Sequence, residues 1–299
     1  MMGNNFIKNR QRLLIVAFLL PAMAWLVVIY LGSLANLLQN SFFYFDEMTE
    51  KIVRDYGFIS FAKLFTMANL RVILRTLTMA AVVTVAAAVV AFPLAWYMAR
   101  LAKGWSKFLV FFAVMMPLWS SYLVKLYVWK MMLAKEGVIS YLAAHVGLAG
   151  VLDWLLTLPI IGGNSLSYST LGRFLVFLYM WLPYMVLPVA AALERVPTSL
   201  LESAVDLGAS EWQKFRTVVI PLAMPGIAAG SIFTFSLTLG DYIIPQVIGD
   251  SSPFIGLVIY QAQGNGSDLP FAAVFTLVPI VILVIYLMIV RRMGAFDAV

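Results

Sequence analysis

The chain has 299 residues, of which 63% are hydrophobic and only 11% charged, with a formal net charge of +6 and no cysteine. Soluble domains carry about 25% charged residues, so this little polar surface cannot cover a water-exposed globule, and the solvent must be largely lipid. Without cysteine there are no disulfides, thiolate metal sites or cysteine nucleophiles. The single histidine, His145, cannot form a metal cluster by itself and reads as an ordinary loop residue. Excess Lys and Arg in such a chain set topology, so the positive charge does not indicate nucleic acid.

In lipid only helices and closed barrels satisfy their own backbone. The apolar stretches are long and continuous, unlike the ten-residue alternations of a barrel, which predicts an all-α, polytopic membrane protein with six transmembrane helices. A first helix near 13–38 fills the charge-free window from Arg12 to Asp46. Lys8, Arg10 and Arg12 ahead of it resemble the n-region of a secretory signal. The apolar part is too long for an h-region and no clean small-residue cleavage site follows, so it reads as an uncleaved anchor. The acidic segment Asp46 to Asp55 is either a solvated outer loop or a face for a periplasmic protein.

A second helix is expected near 73–99, with Arg71 and Arg75 anchoring its outer end, and a third near 107–130. Lys125 and Lys130 near the end of the third either snorkel to the interface or line a cavity. Trp154 to Gly172 lacks charge but contains Pro159, Gly162 and Gly163, and reads as an outer loop. The fourth and fifth helices fall near 171–193 and 222–247. A second outer loop covers Ser251 to Ser267 around Pro253, and a sixth helix follows near 270–292. The short link between helices two and three holds Arg100, Lys103 and Lys107. With Arg195, Lys214, Arg216, Arg291 and Arg292 it places both termini on the inner side by the positive-inside rule.

Between helices four and five lies a polar segment with its own punctuation. Ser199 with Glu202 and Ser210 with Gln213 have the spacing of two capping boxes. Gly208 sits where a left-handed cap would stop the first short helix, and Pro221 opens the next span. The segment reads as a helix–turn–helix knuckle, either an amphipathic loop on the membrane surface or a docking surface for a soluble partner. Late in helix five stands Asp241, with Tyr242 beside it. A carboxylate at membrane depth costs roughly 2.5–3.5 kcal/mol on insertion scales and tends to face a water path or a partner. Two readings stay open: it meets a cationic solute, with Tyr242 adding cation–π attraction, or it lies near the outer interface and pairs with Lys125 or Arg173. Trp119, Ser120 and Tyr122 follow Pro117 and either line a gate or simply pack.

Glu202-Ser-Ala204, three residues, Gly208, nine residues, then Val218-Val-Ile220-Pro221 resembles the EAA loop of binding-protein-dependent ABC importer permeases. Ser203, Val218 and Ile220 depart from the family pattern without changing its spacing. Phe92-Pro93-Leu-Ala-Trp-Tyr-Met-Ala-Arg100, Met116-Pro117-Leu-Trp119 and Leu239-Gly240-Asp241-Tyr242-Ile-Ile-Pro245-Gln resemble the spermidine/putrescine branch; related branches carry opines, iron or other small solutes. The resemblance implies a type I ABC importer transmembrane fold in the bacterial inner membrane. It divides the chain into an N-terminal helix and periplasmic segment, 1–70, and a transmembrane core, 71–293, with the coupling loop at about 196–221. It implies that Glu202, Ala204 and Gly208 couple to an ATPase; for a permease, the intramembrane charge and the aromatics after Pro117 then make Asp241, Tyr242, Trp119 and Tyr122 the candidates for the substrate path.

The resemblance further implies no catalytic residue, no metal and no cofactor on this chain, with ATP and Mg held by a partner. The absence of a G-x-x-x-x-G-K-[ST] phosphate loop is consistent with that. The implied partners are an ATP-binding cassette ATPase dimer, a second and different permease subunit, a periplasmic solute-binding protein, a small-molecule solute and membrane lipid. An ion-coupled secondary transporter is the main alternative, but it calls for internal repeats that are not evident. A membrane enzyme calls for a cluster of His, Asp or Glu that this composition hardly supplies.

Overall fold

The computed structural model describes residues 15–46, 48–250, 252–264 and 268–292. Lys8, Arg10 and Arg12, on which the expected N-terminal anchor rests, lie outside them. The chain separates into two compact units, one formed by the residues up to Thr66 with Gln261–Thr276, the other by Met67–Tyr260 with the residues from Leu277 onward.

In the first unit, α1 (Ile15–Asn40) buries none of its spanning stretch. The segment after it, expected as a loop, is a hairpin. β1 (Tyr44–Asp46) pairs antiparallel with β2 (Lys51–Val53), with Tyr44 opposite Val53 and Asp46 opposite Lys51. The Asp46 carboxylate closes the turn by accepting from the Met48 amide at 3.0 Å and the Thr49 hydroxyl at 2.8 Å. These bonds, Thr49 first, hold its carboxyl below the ordinary carboxylate range. A short helix, α2 (Ile59–Leu64), follows, and Phe42, Phe58 and Phe61 pack ring against ring with centroids 5.5–5.8 Å apart.

The second unit begins with α3 (Met67–Leu101). Its buried residues Val72, Thr76, Met79, Ala80, Val83, Ala87, Ala91 and Ala95 recur at three- and four-residue steps, a stripe of mostly small side chains that permits close helix approach in lipid. Thr76 and Thr84 bond back to the carbonyls of Val72 and Ala80, so their hydroxyls do not go unpaired. Next come α4 (Trp105–Trp119) and α5 (Tyr122–Met132), bent 102° at Ser120–Ser121. The continuous third helix expected there is thus corrected to a bent pair. Both serines are extended, with ψ 151° and 133°. The carbonyl of Pro117, freed at the break, receives the Lys125 ammonium, which helps to hold the bend.

The stretch beyond the bend carries two short helices, α6 (Val138–His145) and α7 (Ala149–Thr157), and a tight turn at Leu166–Tyr168. It is an excursion and not a span. His145 ends α6 with its ring against Tyr141. Lys130 lies over the Tyr168 ring at 5.9 Å, which gives that cation a ring partner in this excursion.

At the centre of the unit is α8 (Thr170–Glu194), capped by the Ser169 hydroxyl, which accepts from the Gly172 amide. It packs on α3 and on α10 (Glu211–Gly240). Gly226 of α10 lies so close to Pro188 and Ala192 of α8 that a Cβ there would strike the Pro188 carbonyl. The short helix α9 (Thr198–Asp206) joins α8 to α10, and α11 (Ile243–Val247), α12 (Ile255–Gly264) and α13 (Leu269–Arg291) complete the chain. Among the described residues, α1, α3, α8, α10 and α13 are long and apolar enough to cross a bilayer, and α4 and α5 pass the same test only when taken together across their bend, which gives five spans, or six if the bent pair is one. The fifth span ends at Gly240, several residues earlier than its hydropathy suggested.

Candidate functional site

The polar knuckle is built from local backbone chemistry. α9 starts after Pro197, whose ψ of 136° makes it the N-cap, and carries no side-chain cap bond. The capping box expected from Ser199 and Glu202 is therefore absent. Proline offers neither a hydroxyl nor an N–H, and Ser199 lies inside the helix with its carbonyl taken by the Ser203 hydroxyl at 2.8 Å. The other end of α9 follows the sequence closely. Gly208 has φ +80°, its amide meets the Val205 carbonyl at 2.8 Å, and the Ala209 amide meets the Ala204 carbonyl at 3.0 Å. That crossed pair of bonds is a Schellman cap, which needs a left-handed residue where a side chain is disfavoured.

The second box forms in full. The Ser210 hydroxyl accepts from the Gln213 amide at 3.3 Å, and the Gln213 side chain accepts from the Ser210 amide at 2.8 Å. The helix it opens does not stop before the fifth span. α10 runs on through a wide π-turn at Phe215–Val219 and past Pro221 to Gly240. A proline clashes with the carbonyl four residues back, and the π-turn lies where that carbonyl, of Thr217, would stand. Glu202 and Gly208 are exposed and Ala204 is half-buried.

At its other end α10 reaches the Asp241 corner. The expectation that Asp241 sits within helix five is corrected: it follows the last helical residue with ψ 132°. Its carboxylate caps the next helix, with Oδ1 accepting from the Ile243 and Ile244 amides at 2.8 and 2.9 Å. Oδ2 accepts from the Tyr122 hydroxyl. Tyr122 is the first residue of α5, just past the bend, so one carboxylate ties α10, α11 and α5 together.

The pairing of Asp241 with Lys125 or Arg173 is overturned. Lys125 donates to Pro117, and Arg173 meets Asp250 at 3.0 Å. Around Asp241, the Tyr122 ring stacks on Trp181 with centroids 6.1 Å apart, and Tyr242 stacks on Tyr260 at 4.7 Å. Trp181, Ser236, Leu237, Gly240, Asp241, Tyr242 and Ile243 line a cavity of about 320 Å³. The buried Trp181 indole N–H has no protein partner. Trp119 does not join this group among the described contacts: it is 73% exposed and packs edge-on against Phe112.

Trp181, Tyr260 and Arg173 are the residues that sequence reasoning missed or misplaced. Arg173 is fully buried at the start of α8 and donates to the carbonyls of Ile248 and Asp250 at 3.0 and 2.8 Å, while its guanidinium lies 4.6 Å from the Phe254 ring. It fastens the segment after α11 to α8. Arg75 adds a bond to the Pro253 carbonyl at 3.3 Å. Burial alone would raise the Asp250 carboxyl, but the Ser252 hydroxyl, Arg173 and Arg75 outweigh it and hold it below the ordinary range.

These features comprise an exposed, locally capped turn on one end of a long helix and an aromatic-lined polar corner on the other, an arrangement suited to moving a solute.

Comparison with known proteins agrees. Residues 151–296 match the family described as the binding-protein-dependent transport system inner membrane component. The inner membrane ABC transporter permease protein YdcU of Escherichia coli (strain K12) is 54% identical over 280 residues, covering 94% of this chain and 90% of that protein. The spermidine/putrescine transport system permease protein PotB of Salmonella typhimurium (strain SL1344) is 30% identical over 234 residues, 78% of this chain and 77% of that one. In fold, the chain is similar to a chain of a bacterial alginate ABC transporter crystallised with an alginate-bound periplasmic protein, with a TM-score of 0.74, 18% identity and coverage of 97% and 96%. The chain belongs to the inner-membrane permease subunits of binding-protein-dependent ABC importers.

Proposed function

We propose that this permease forms one half of the membrane path for a small organic cation of the polyamine class. In this reading a periplasmic binding protein delivers the solute, a second and different permease supplies the other half, and ATP with Mg is hydrolysed on a separate ATPase dimer. The chain itself binds no cofactor or metal. Both termini face the cytoplasm, and residues 71–293 act as the transmembrane core behind an N-terminal helix and outer segment, 1–70.

One observation carries the coupling half of this reading. α9, its Schellman cap at Gly208 and the capping box at Ser210 form a stiff exposed knuckle, and its second arm is continuous with α10 all the way to Gly240. At about 1.5 Å per residue, a push on Glu202, Ala204 or Gly208 is carried some tens of ångströms to the Asp241 corner without crossing a flexible joint.

The cationic solute is supported by that corner's chemistry. Asp241 supplies negative charge, and Trp181 and Tyr242, which line the same cavity, offer aromatic surface for cation–π attraction to an ammonium, with Tyr122 and Tyr260 stacked behind them. The 30% identity to a spermidine/putrescine permease supports the same class. Trp119 stands apart on an exposed helix end and is proposed only as a mouth residue of the path.

The test is reconstitution in lipid with candidate ATPase, second permease and binding protein. The expected result is ATP hydrolysis stimulated several-fold by putrescine or spermidine and lost in Gly208→Arg, which still inserts. Uptake surviving Gly208→Arg would remove the docking assignment. Stimulation by anionic or neutral solutes but not by polyamines would remove the cation. Uptake that follows an ion gradient without the ATPase would instead favour a secondary transporter.

A further inference from the structure

The stretch Phe92 to Arg100, set apart in the sequence by its resemblance alone, has a mechanical place in the fold. It is the last part of α3, and it touches both roots of the α9 knuckle.

At the first root, the Arg100 Nη2 group donates to the carbonyls of Leu193, at 2.8 Å, and Val196. These are the final carbonyls of α8 and its exit, where the chain leaves for Pro197 and α9. The carbonyls at a helix C-terminus lack partners and carry the negative end of the helix dipole, so a guanidinium there is favourable. A π-turn at Tyr97–Leu101, closed by the Ala102 amide on the Tyr97 carbonyl at 2.8 Å, shapes the backbone at Arg100.

At the second root, Phe92 meets Phe215 edge to face, with centroids 5.3 Å apart and planes at 83°. Phe215 opens the π-turn of α10 and stacks in turn on Trp212. The Arg100 Nε atom is buried and has no protein acceptor, so among the described hydrogen bonds the guanidinium reaches this root through Nη2.

We infer that the inner end of α3 is the anchor against which the knuckle moves, and that Arg100 is a positioning residue for coupling because it fixes the α8 root of α9. The inference rests on reading α9 as the ATPase-coupling element. When α9 is displaced, the α10 root carries motion along α10, while the α8 root is held to α3 through Arg100. The two arms then move relative to a fixed point and the knuckle does not drift as a whole. The neighbouring Lys107–Glu194 pair, 2.7 Å apart but half-exposed at both ends, is too well solvated to serve as that fixed point.

The experiment has two readouts on the full chain. In the reconstituted importer, Arg100→Ala should keep ATP hydrolysis within about twofold while solute moved per ATP falls about tenfold, the scale of one charge-assisted hydrogen bond. Arg100→Lys should recover part of that ratio, and Lys107→Ala should leave it unchanged. In the permease alone, a spin label on Leu207→Cys reports the knuckle directly, because the chain has no other cysteine and Leu207 is 87% exposed. Label mobility should rise in Arg100→Ala and, less, in Arg100→Lys. Should Arg100→Ala fail to fold, Arg100→Lys carries both readouts.

Unchanged mobility and unchanged solute per ATP in a folded Arg100 variant would overturn the inference. A rise in mobility needs no ATPase. If it appeared while Gly208→Arg left uptake intact, the docking reading would fail and the α3 joint would stand.

Discussion

At the α9–α10 turn and at the α10–α11 corner the chain breaks a helix, and the two breaks are made differently. The first is closed within a few residues by Gly208, Ser210 and Gln213, using backbone amides, one hydroxyl and one side-chain carbonyl. The second places Asp241 between two amides of its own segment and the Tyr122 hydroxyl, 119 positions away. A break closed locally is stiff before anything docks on it. A break closed from afar depends on α5 staying where it is, so it can open when α5 or α10 moves. The knuckle is therefore suited to receiving force and the corner to yielding to it.

The largest effect expected from breaking this comparison is at Gly208. A Cβ there meets nothing within 4 Å, so Gly208→Arg costs only the left-handed backbone, about 1–2 kcal/mol. The permease should still purify as a folded chain, while coupled uptake should be lost altogether. Loss of the folded chain, checked by size-exclusion chromatography in detergent, would show that the knuckle supports the fold and does not only transmit force.

Next in size is the corner itself. Asp241→Asn retains an oxygen to cap Ile243 and Ile244 but removes the charge, whereas Asp241→Ala removes both. If the carboxylate meets a cationic solute, polyamine uptake should fall at least tenfold in both variants, and Asp241→Ala should also lose about 1 kcal/mol of stability with its cap. If Asp241 only caps α11, uptake by Asp241→Asn should match the parent. Measuring both variants for uptake and for thermal unfolding separates the two roles.

This difference also accounts for what could be read from the sequence. Spans and knuckle were legible because apolar continuity, a glycine cap and a capping box are properties of neighbouring residues. The false box at Ser199 shows the limit of that method: Pro197 is the N-cap, two positions earlier, and leaves no N–H to complete the pattern. The 102° bend was not legible, because the only proline near it, Pro117, still lies inside α4. The visible trace was Lys125, a cation in an apolar run whose partner turned out to be the carbonyl freed by the bend. The sequence reads Asp241 as part of a helix because apolar residues continue to Val247, whereas the aspartate ends one helix and starts the next by accepting from the Ile243 and Ile244 amides. Trp181 meets Tyr122, Tyr260 meets Tyr242 and Asp250 meets Arg173 only through tertiary packing, which periodicity cannot express.

A smaller effect tests the clamp beside the corner. Because the Asp250 carboxyl lies below its ordinary value when folded, its contribution is fully present above the unfolded value near 3.8 and fades as pH falls through the lower folded value. The thermal-stability gap between the parent and Asp250→Asn should thus stay constant from pH 6 to about pH 4 and narrow only below that. A gap that closed above pH 5 would mean that Arg173 and Arg75 do not hold the carboxylate as the geometry implies.

The smallest expected effect lies back at the knuckle. Ser210→Ala removes one hydroxyl acceptor from the Gln213 amide, which on an exposed helix start costs about 0.5–2 kcal/mol. Most of α10 is held by packing on α8 and α3, so global unfolding should shift little, while amide exchange at Glu211 to Gln213 should quicken. If stiffness of the knuckle matters to transport, that local loosening alone should lower solute moved per ATP, with ATP hydrolysis preserved. An unchanged ratio would mean that the Schellman cap at Gly208 suffices, and that the force enters α10 beyond the box, at the π-turn where Phe215 meets Phe92.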